Sequence, residues 1–360
     1  MSSSTSKSDH DSYNMQAIQL QAKGGPAVFV TNQPLPILPP DCLLIKTIAV
    51  GLNPHELLDI DLPWSIGDAG DLLGCDYAGI VEEVGSEVKK NFKKGDRLCG
   101  CTRPNPLQPD WGTFAEYIVV VGDVQLHIPD DMSFEDAASL GVSVLTAGAI
   151  LYDTLDLKLP PAGDEGRRQV LIYGGSTSTG RMMIQFAKLS NFEIITTSSP
   201  SNFTFLKSLG ADHVFDYTSP SSPASILALK NSTLTLCIDC FSQQSSYDFC
   251  APILAQGATY VSIAPTIKVD REDLVFKFCM GVLYFNKPFA IQGQRMEATR
   301  EMFESAVRFA EYAEEVLGKG KVRCHPSEVR GGGLEAVLEG IQEMREGKVG
   351  GKKLVYPLKI

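Results

Sequence analysis

Between residues 170 and 262, short apolar runs alternate with helix-length stretches at a spacing that leaves few choices of fold. The run "VLIY" precedes "RMMIQFAKLS", "EIITT" precedes "NFTFLKSLG", and "HVFDY" precedes "PASILALK". "TLTLCIDC" then precedes "YDFCAPILAQG", which leads to "ATYVSIA". Each run is short, apolar and rich in β-branched residues, as strands covered on both faces must be. Strand–helix units in series connect by right-handed crossovers and build a parallel sheet between layers of helix. The fold class expected is therefore α/β, with a doubly wound parallel sheet in this part of the chain.

The flanks read differently. From "AIQL" to "GTFAEYIVVVGDVQLHIP" the chain alternates extended runs with glycine-marked turns, which fits a small β-rich domain. Ser133 stands as an N-cap before "FEDAASLGVSVLTAGAILYD", with Asp136 three residues on, and "LKLPPAGDEGRRQ" reads as a connector. Near the C-terminus, "EMFESAVRFAEYAEEVLGKG" and "LEAVLEGIQEMREG" read as amphipathic helices, "VRCHPSEV" and "KKLVYPL" as strands. The expected organisation is a disordered polar tail over 1–13, a β-rich domain formed by 14–150 and 319–360, and a parallel-sheet domain over 151–318.

Composition narrows the partners. Net charge is −11, which disfavours nucleic acid and anionic membrane surfaces. No stretch reaches the roughly 18 consecutive apolar residues of a membrane-spanning helix. "MSSSTSKSDHDSYN" lacks the apolar core of a secretory signal, so the cytosol is the expected location. The nine cysteines lie mostly in apolar runs and read as reduced, buried thiols. "CIDC" has redox spacing but sits in a strand, away from a helix N-terminus that would stabilise a thiolate.

The first strand of the parallel sheet ends in "GGSTSTG", where a phosphate cradle would lie. Gly174 and Gly180 frame the turn, and Thr177 takes the position where a middle glycine is usual. Hydroxyls of Ser176, Thr177, Ser178 and Thr179 can donate to phosphate oxygens in its place. An ordinary βα turn is the plain alternative; the four βα units that follow favour a nucleotide. An NAD site expects an acid about 20 residues after the first glycine, on the ribose 2′-hydroxyl. Here the second strand runs into Thr197, Ser198, Ser199, Pro200, Ser201 and Asn202, with Lys207 beyond, and Glu193 comes too early. Hydroxyls, an amide and a cation without a carboxylate suit a 2′-phosphate, so NADPH is expected over NADH.

The order of "GCDYAGIVEEVGSEVKKNFKKGDRLCG", "GTFAEYIVV", "AASLGVSVLTAG", the βα array and "GLEAVLEGIQEMREGKVGGKKLVYPL" resembles the medium-chain dehydrogenase/reductase superfamily from about residue 15 onward. Within it, "VLIYGGSTSTG", "SSPSNF", "GADHVFDY" and "PLPILPPDCLLIKTIAVGLNPHE" look most like fungal trans-acting enoyl reductases, the partners of polyketide synthases. That resemblance implies a GroES-like catalytic domain split by a Rossmann NADP-binding domain. It implies transfer of the NADPH hydride to the β-carbon of an α,β-unsaturated thioester on an acyl carrier protein, by a monomer. It places residues 54–58, with Pro54, His55 and Leu58, against the nicotinamide, and 176–179 on the pyrophosphate. It places Ser199 to Asn202 by the 2′-phosphate, Tyr217 at the adenosine end, and Val349 and Gly350 over the cofactor. Ser143, Thr146 and Gly148 would line the cleft.

Two departures bear on mechanism. The zinc ligands of metal-dependent relatives are replaced by Asn53, Cys75 and apolar residues, and one thiol does not hold a tetrahedral zinc, so no metal is expected. Relatives read N-P-x-D-x-K, whereas "NPHELL" puts Leu58 at the lysine position. His55, titratable near neutrality, is then the candidate acid for the α-carbon proton, with water or Tyr77 as alternatives. The aromatic stretch 266–296 reads as core or as a wall for an acyl chain, with Cys279, Met280 and Phe285 as wall residues. A stand-alone quinone or enone reductase, and a cofactor-holding non-redox partner or cyclase, remain open beside the enoyl reductase.

Overall fold

The computed structural model describes residues 14–61, 68–103, 107–161, 167–229, 234–264, 267–279, 281–291 and 294–358. The 1–13 tail and Met280 fall outside the described residues. Strands β1 (Asn14–Leu20) and β2 (Ala27–Pro34) form an antiparallel ribbon. β3 (Cys42–Gly51) precedes helix α1 (Pro54–Asp61) and pairs antiparallel with β4 (Asp76–Val84). β5 (Arg97–Cys101), β6 (Tyr117–Val121) and β7 (Leu126–His127) extend the same sheet. The inward side chains are mostly Val, Ile, Leu, Ala and Phe, with Met15 and Tyr77 among them, and Ile45, Leu98, Phe114 and Ile118 are fully buried.

Helix α2 (Phe134–Ala137) starts at the Ser133 cap, whose hydroxyl accepts from Asp136 N at 3.1 Å. α3 (Gly141–Gly148) continues into a wider turn over Ala149–Thr154 and leads to the parallel sheet. There β8 (Arg168–Tyr173), α4 (Ser178–Leu189), β9 (Phe192–Ser198), α5 (Phe203–Leu209) and β10 (His213–Asp216) form one half. α6 (Ser222–Leu227), β11 (Leu236–Asp239), α7 (Gln244–Cys250), β12 (Thr259–Ser262) and β13 (Val275–Phe278) form the other. The spatial order β10-β9-β8-β11-β12-β13 is the 3-2-1-4-5-6 arrangement of a Rossmann sheet, all parallel. β13 adds a sixth strand from within the aromatic stretch that the sequence reading assigned to core or acyl-chain wall.

After a short hairpin, β14 (Phe289–Ile291) and β15 (Gln294–Met296), comes α8 (Arg300–Gly318). β16 (Ser327–Val329), α9 (Gly333–Arg345) and β17 (Lys353–Pro357) then return the chain to the first sheet, where β17 pairs with β3. The strand expected over "VRCHPSEV" is confined to three residues, because Pro326 lacks a ladder N–H. One hydrophobic core spans both sheets through α3 and α8, holding Val119, Leu140, Val144, Phe186 and Phe309 together. At Gly148 a Cβ would lie 2.2 Å from the Phe309 ring, so only glycine lets α3 and α8 approach this closely. This seam packs α3 and α8 against β5 and β7 of the β-rich lobe, with α4 of the parallel sheet on the other side of α3.

Candidate active site

The turn after β8 is built for close backbone approach. Gly174 has φ +78°, and a Cβ on Gly180 would sit 2.2 Å from the Gly174 carbonyl oxygen. Gly174 N donates to Thr197 Oγ1 at 3.1 Å and Gly175 N to Thr197 O at 2.9 Å, which ties the turn to β9. Thr177 is the N-cap of α4: its hydroxyl accepts from Gly180 N at 2.9 Å and donates to Gly174 O at 2.8 Å. This differs from the expectation that Thr177 offers its hydroxyl to phosphate; capping has consumed it. The N–H groups of Ser178 and Thr179 open α4 and have no intrahelical acceptor, so with the partly exposed Ser176 they face outward at the positive end of a helix. This cradle fits a pyrophosphate.

The β9–α5 turn lies beside it. Asn202 Nδ2 donates to Ser199 Oγ at 3.0 Å, and Ser201 Oγ is 3.4 Å from Ser199 Oγ. Pro200 and Lys207 are exposed. The acids near β9 are spent at its opposite end. Glu193 accepts from Gln169 at 3.1 Å, and Asp212 pairs with Arg167 at 2.6 Å. On the other side of the crevice Tyr217 and Phe241 are each 46% exposed, with rings 6.4 and 6.5 Å from that of Tyr173. "CIDC" ends β11 with Cys237 and Cys240 buried, and burial drives both thiols well above the ordinary range, so neither is a ready nucleophile.

Across the crevice, α1 and the ends of β4, β5 and β17 carry a set of buried charges. Asp76, fully buried, accepts from Val142 N at 2.6 Å in the first turn of α3 and from Asn53 Nδ2 at 3.2 Å. It also pairs with the Lys353 ammonium, which donates to Asn53 Oδ1 at 2.9 Å. The Arg103 guanidinium grips Asp59 through two bonds of 2.5 and 2.8 Å and reaches Cys75 Sγ at 3.7 Å. Glu56, fully buried, accepts from Asn53 N at 2.6 Å and Cys75 N at 3.1 Å. Burial, then the negative charge of Asp76, pushes its carboxyl up to about 7. Sequence reasoning missed Glu56, Arg103, Asp76 and Lys353. Charged residues inside or beside apolar runs were the available signal.

Pro54 and Leu58 are exposed on α1, Leu58 at 46%. The His55 side chain is 41% exposed, but its Nε2 edge is closed off, 3.7 Å from Asp59. Burial of that edge, then the Arg103 charge, lowers its pKa to about 4, so the ring is neutral at neutral pH. Tyr77 is sealed in the β-rich core, donating to Gln125 Oε1 at 3.1 Å, and burial raises its pKa well above the usual value. It is therefore corrected as a proton donor. Ser143 is also turned inward: its hydroxyl donates to Leu140 O at 2.8 Å and lies 3.1 Å from His325 Nε2. Gly148 faces Phe309 and Cys279 belongs to the core, so neither is placed as cleft lining, while Thr146 is half-buried.

Two small cavities lie at the seam instead. One is apolar, walled by Gly100, Cys101, Val144, Leu145, Tyr284 and Phe309. The second is walled by Arg103, Trp111, Val282, Phe285, Lys287 and Phe289, so Phe285 does stand on a wall. Val349 packs partly buried against the α1–α9 core and Gly350 is open to solvent beside it.

A half-barrel sheet joined to a Rossmann sheet, with charged and apolar groups at the seam, defines the medium-chain dehydrogenase/reductase class of oxidoreductases. Residues 39–130 match the alcohol dehydrogenase GroES-like domain family and 179–311 the zinc-binding dehydrogenase family. A trans-enoyl reductase of Alternaria alternata is 37% identical over 345 residues, covering 95% of this chain and 98% of that protein. One of Cochliobolus carbonum is 46% identical over 257 residues, 69% of this chain and 86% of that protein. The quinone oxidoreductase of Pseudomonas syringae shares the fold at TM-score 0.75 and 22% identity, over 95% of this chain and 99% of that one. The CurK enoyl reductase shares it at TM-score 0.72 and 19% identity, over 96% and 99%. The chain belongs to the trans-enoyl reductase family of medium-chain dehydrogenase/reductases.

The zinc named for one matched family does not fit the donors present. Zinc binds thiolate, whereas burial, then the Glu56 charge, raises Cys75 well above its ordinary value. The neighbouring Asn53 is held by Lys353, and Arg103 abuts Cys75, so two cations occupy the surroundings of a would-be ligand set. Among the described residues no group of three or more His, Cys, Asp or Glu converges as a metal set.

Proposed function

We propose that this protein is an NADPH-dependent, trans-acting enoyl reductase that reduces an α,β-unsaturated polyketide thioester carried on the acyl carrier protein of a partner synthase. The observation that carries the reading is kinship, 37% identity to a trans-enoyl reductase over 95% of this chain, together with a glycine-framed turn after β8 that opens onto the N-terminus of α4. Bound NADPH supplies a hydride for the β-carbon. The α4 N-terminus and Ser176 hold the pyrophosphate, and the Ser199–Asn202 turn holds the 2′-phosphate. Tyr217 and Phe241 flank the adenine. The apolar side chains at the seam, Val144, Leu145 and Phe309, keep water from the hydrocarbon.

Carbonyl polarisation then falls to hydrogen bonds, without a metal. The Arg103 and Lys353 cations are locked in ion pairs, Tyr77 is sealed, and His55 is neutral, so we assign the α-carbon proton to solvent entering beside His55. The test is NADPH consumption with a pantetheine-linked enoyl chain, a small quinone, or no acceptor. The reading expects turnover with the thioester and little with the quinone. Faster turnover with the quinone, or tight NADPH binding with no turnover on either, contradicts it.

A further inference from the structure

Arg181 follows Gly180 in the first turn of α4, whose other buried side chains are apolar except Gln185, itself hydrogen-bonded to the Arg323 backbone. It is only 3% exposed, yet no carboxylate pairs with it among the described residues. Its Nη2 donates to the Gly351 carbonyl at 2.7 Å, its Nε reaches no acceptor, and its planar face lies 5.2 Å over the Phe205 ring. Burial alone brings its pKa down to about 10. A buried cation without a counter-charge is costly, and proteins retain one where an anion completes it.

Its position says which anion. Phe205 lies in α5, three residues beyond Asn202. A Cβ on Gly351 would lie 3.8 Å from both Arg181 Nη2 and Asn202 Oδ1, so the guanidinium and the amide flank one glycine. Arg181 thus reaches from the pyrophosphate helix across to the β9–α5 turn, the place of the ribose 2′ position in this fold. We propose that Arg181 is the cofactor-specificity residue, giving the 2′-phosphate of NADPH a charge-assisted bond between the Ser199–Asn202 turn and the Gly351 turn. This rests on the NADPH reading above and adds to the exposed Lys207 a second, buried cation. Because Gly351 belongs to the C-terminal turn, the same contact fastens that turn over the nucleotide.

The experiment is calorimetric binding of 2′,5′-ADP, 5′-AMP, NADPH and NADH to the unmutated protein, Arg181→Met and Arg181→Lys. Losing a charge-assisted bond of this kind weakens binding about tenfold to a hundredfold. Arg181→Met should lose that much for 2′,5′-ADP and NADPH, hold AMP and NADH unchanged, and be partly rescued in Arg181→Lys. Equal loss for AMP and 2′,5′-ADP assigns Arg181 to the pyrophosphate or to folding and overturns the proposal, as does no loss. A wild type that binds AMP and 2′,5′-ADP equally overturns the NADPH reading as well. A preference kept in Arg181→Met overturns only the role of Arg181. Should Arg181→Met fail to fold, phosphorus NMR of 2′,5′-ADP on the unmutated protein decides. A 2′-phosphate beside a buried guanidinium titrates below its free value of about 6, and titration at the free value overturns the assignment.

Discussion

At the scale of single residues, Glu56 stores a proton. Its carboxyl sits near 7 in the folded chain, against an ordinary value of 4.5, because burial and Asp76 oppose its charge. The native state therefore binds a proton that the unfolded chain releases, and stability falls as pH rises between those values. Its contribution is complete below about 4.5 and gone above about 7. Glu56→Gln should remove on the order of 3 kcal/mol of that pH dependence, read from denaturant midpoints across the interval. An unchanged slope in the variant would place the proton elsewhere. Glu56 was missed because its burial is a tertiary fact: Asn53 N and Cys75 N, on either side of α1, donate to a carboxylate that the sequence shows only beside two leucines. Thr177 was seen but misread for a related reason. Its neighbours in sequence are candidate phosphate donors, while its geometry makes it the helix cap.

Among elements, the link that matters joins β17, β4 and α3. Lys353 and Asp76 are 1% and 0% exposed, and Asp76 also receives Val142 N from α3, so one carboxylate fixes the C-terminal strand and the interlobe helix together. Lys353→Met leaves Asp76 buried without its cation and should cost about 3–5 kcal/mol in urea unfolding. Adding Asp76→Asn should restore much of that loss; a double variant that loses the sum of the two single losses would show that the pair acts independently. The parallel strands β8 to β12 were legible because strands covered on both faces show unbroken apolar runs. β13 was not. It is an edge strand with Val275 and Phe276 half-exposed, so "VFKF" shows no such run among its charged neighbours. The Ser133 cap was legible because a cap is a local contact, satisfied within three residues.

For the whole molecule, two sheets share one core through α3 and α8, and the candidate site is the seam they create. The sequence pointed to both lobes and to the glycine-framed turn after β8 as a candidate phosphate cradle. The family resemblance pointed to the cleft between the lobes but not to the contacts that close it, because Gly148 against Phe309, and Arg181 against Gly351, join residues more than a hundred positions apart. The account's central claim is delivery of hydride from NADPH to the β-carbon of a carrier-bound enoyl thioester. Its most direct test is turnover of NADPH deuterated at the transferring position of the nicotinamide, with mass analysis of the reduced acyl chain. The account predicts one deuterium at the β-carbon and none at the α-carbon, whose hydrogen comes from solvent. Reduced product without label at the β-carbon, or label at the α-carbon, would contradict it.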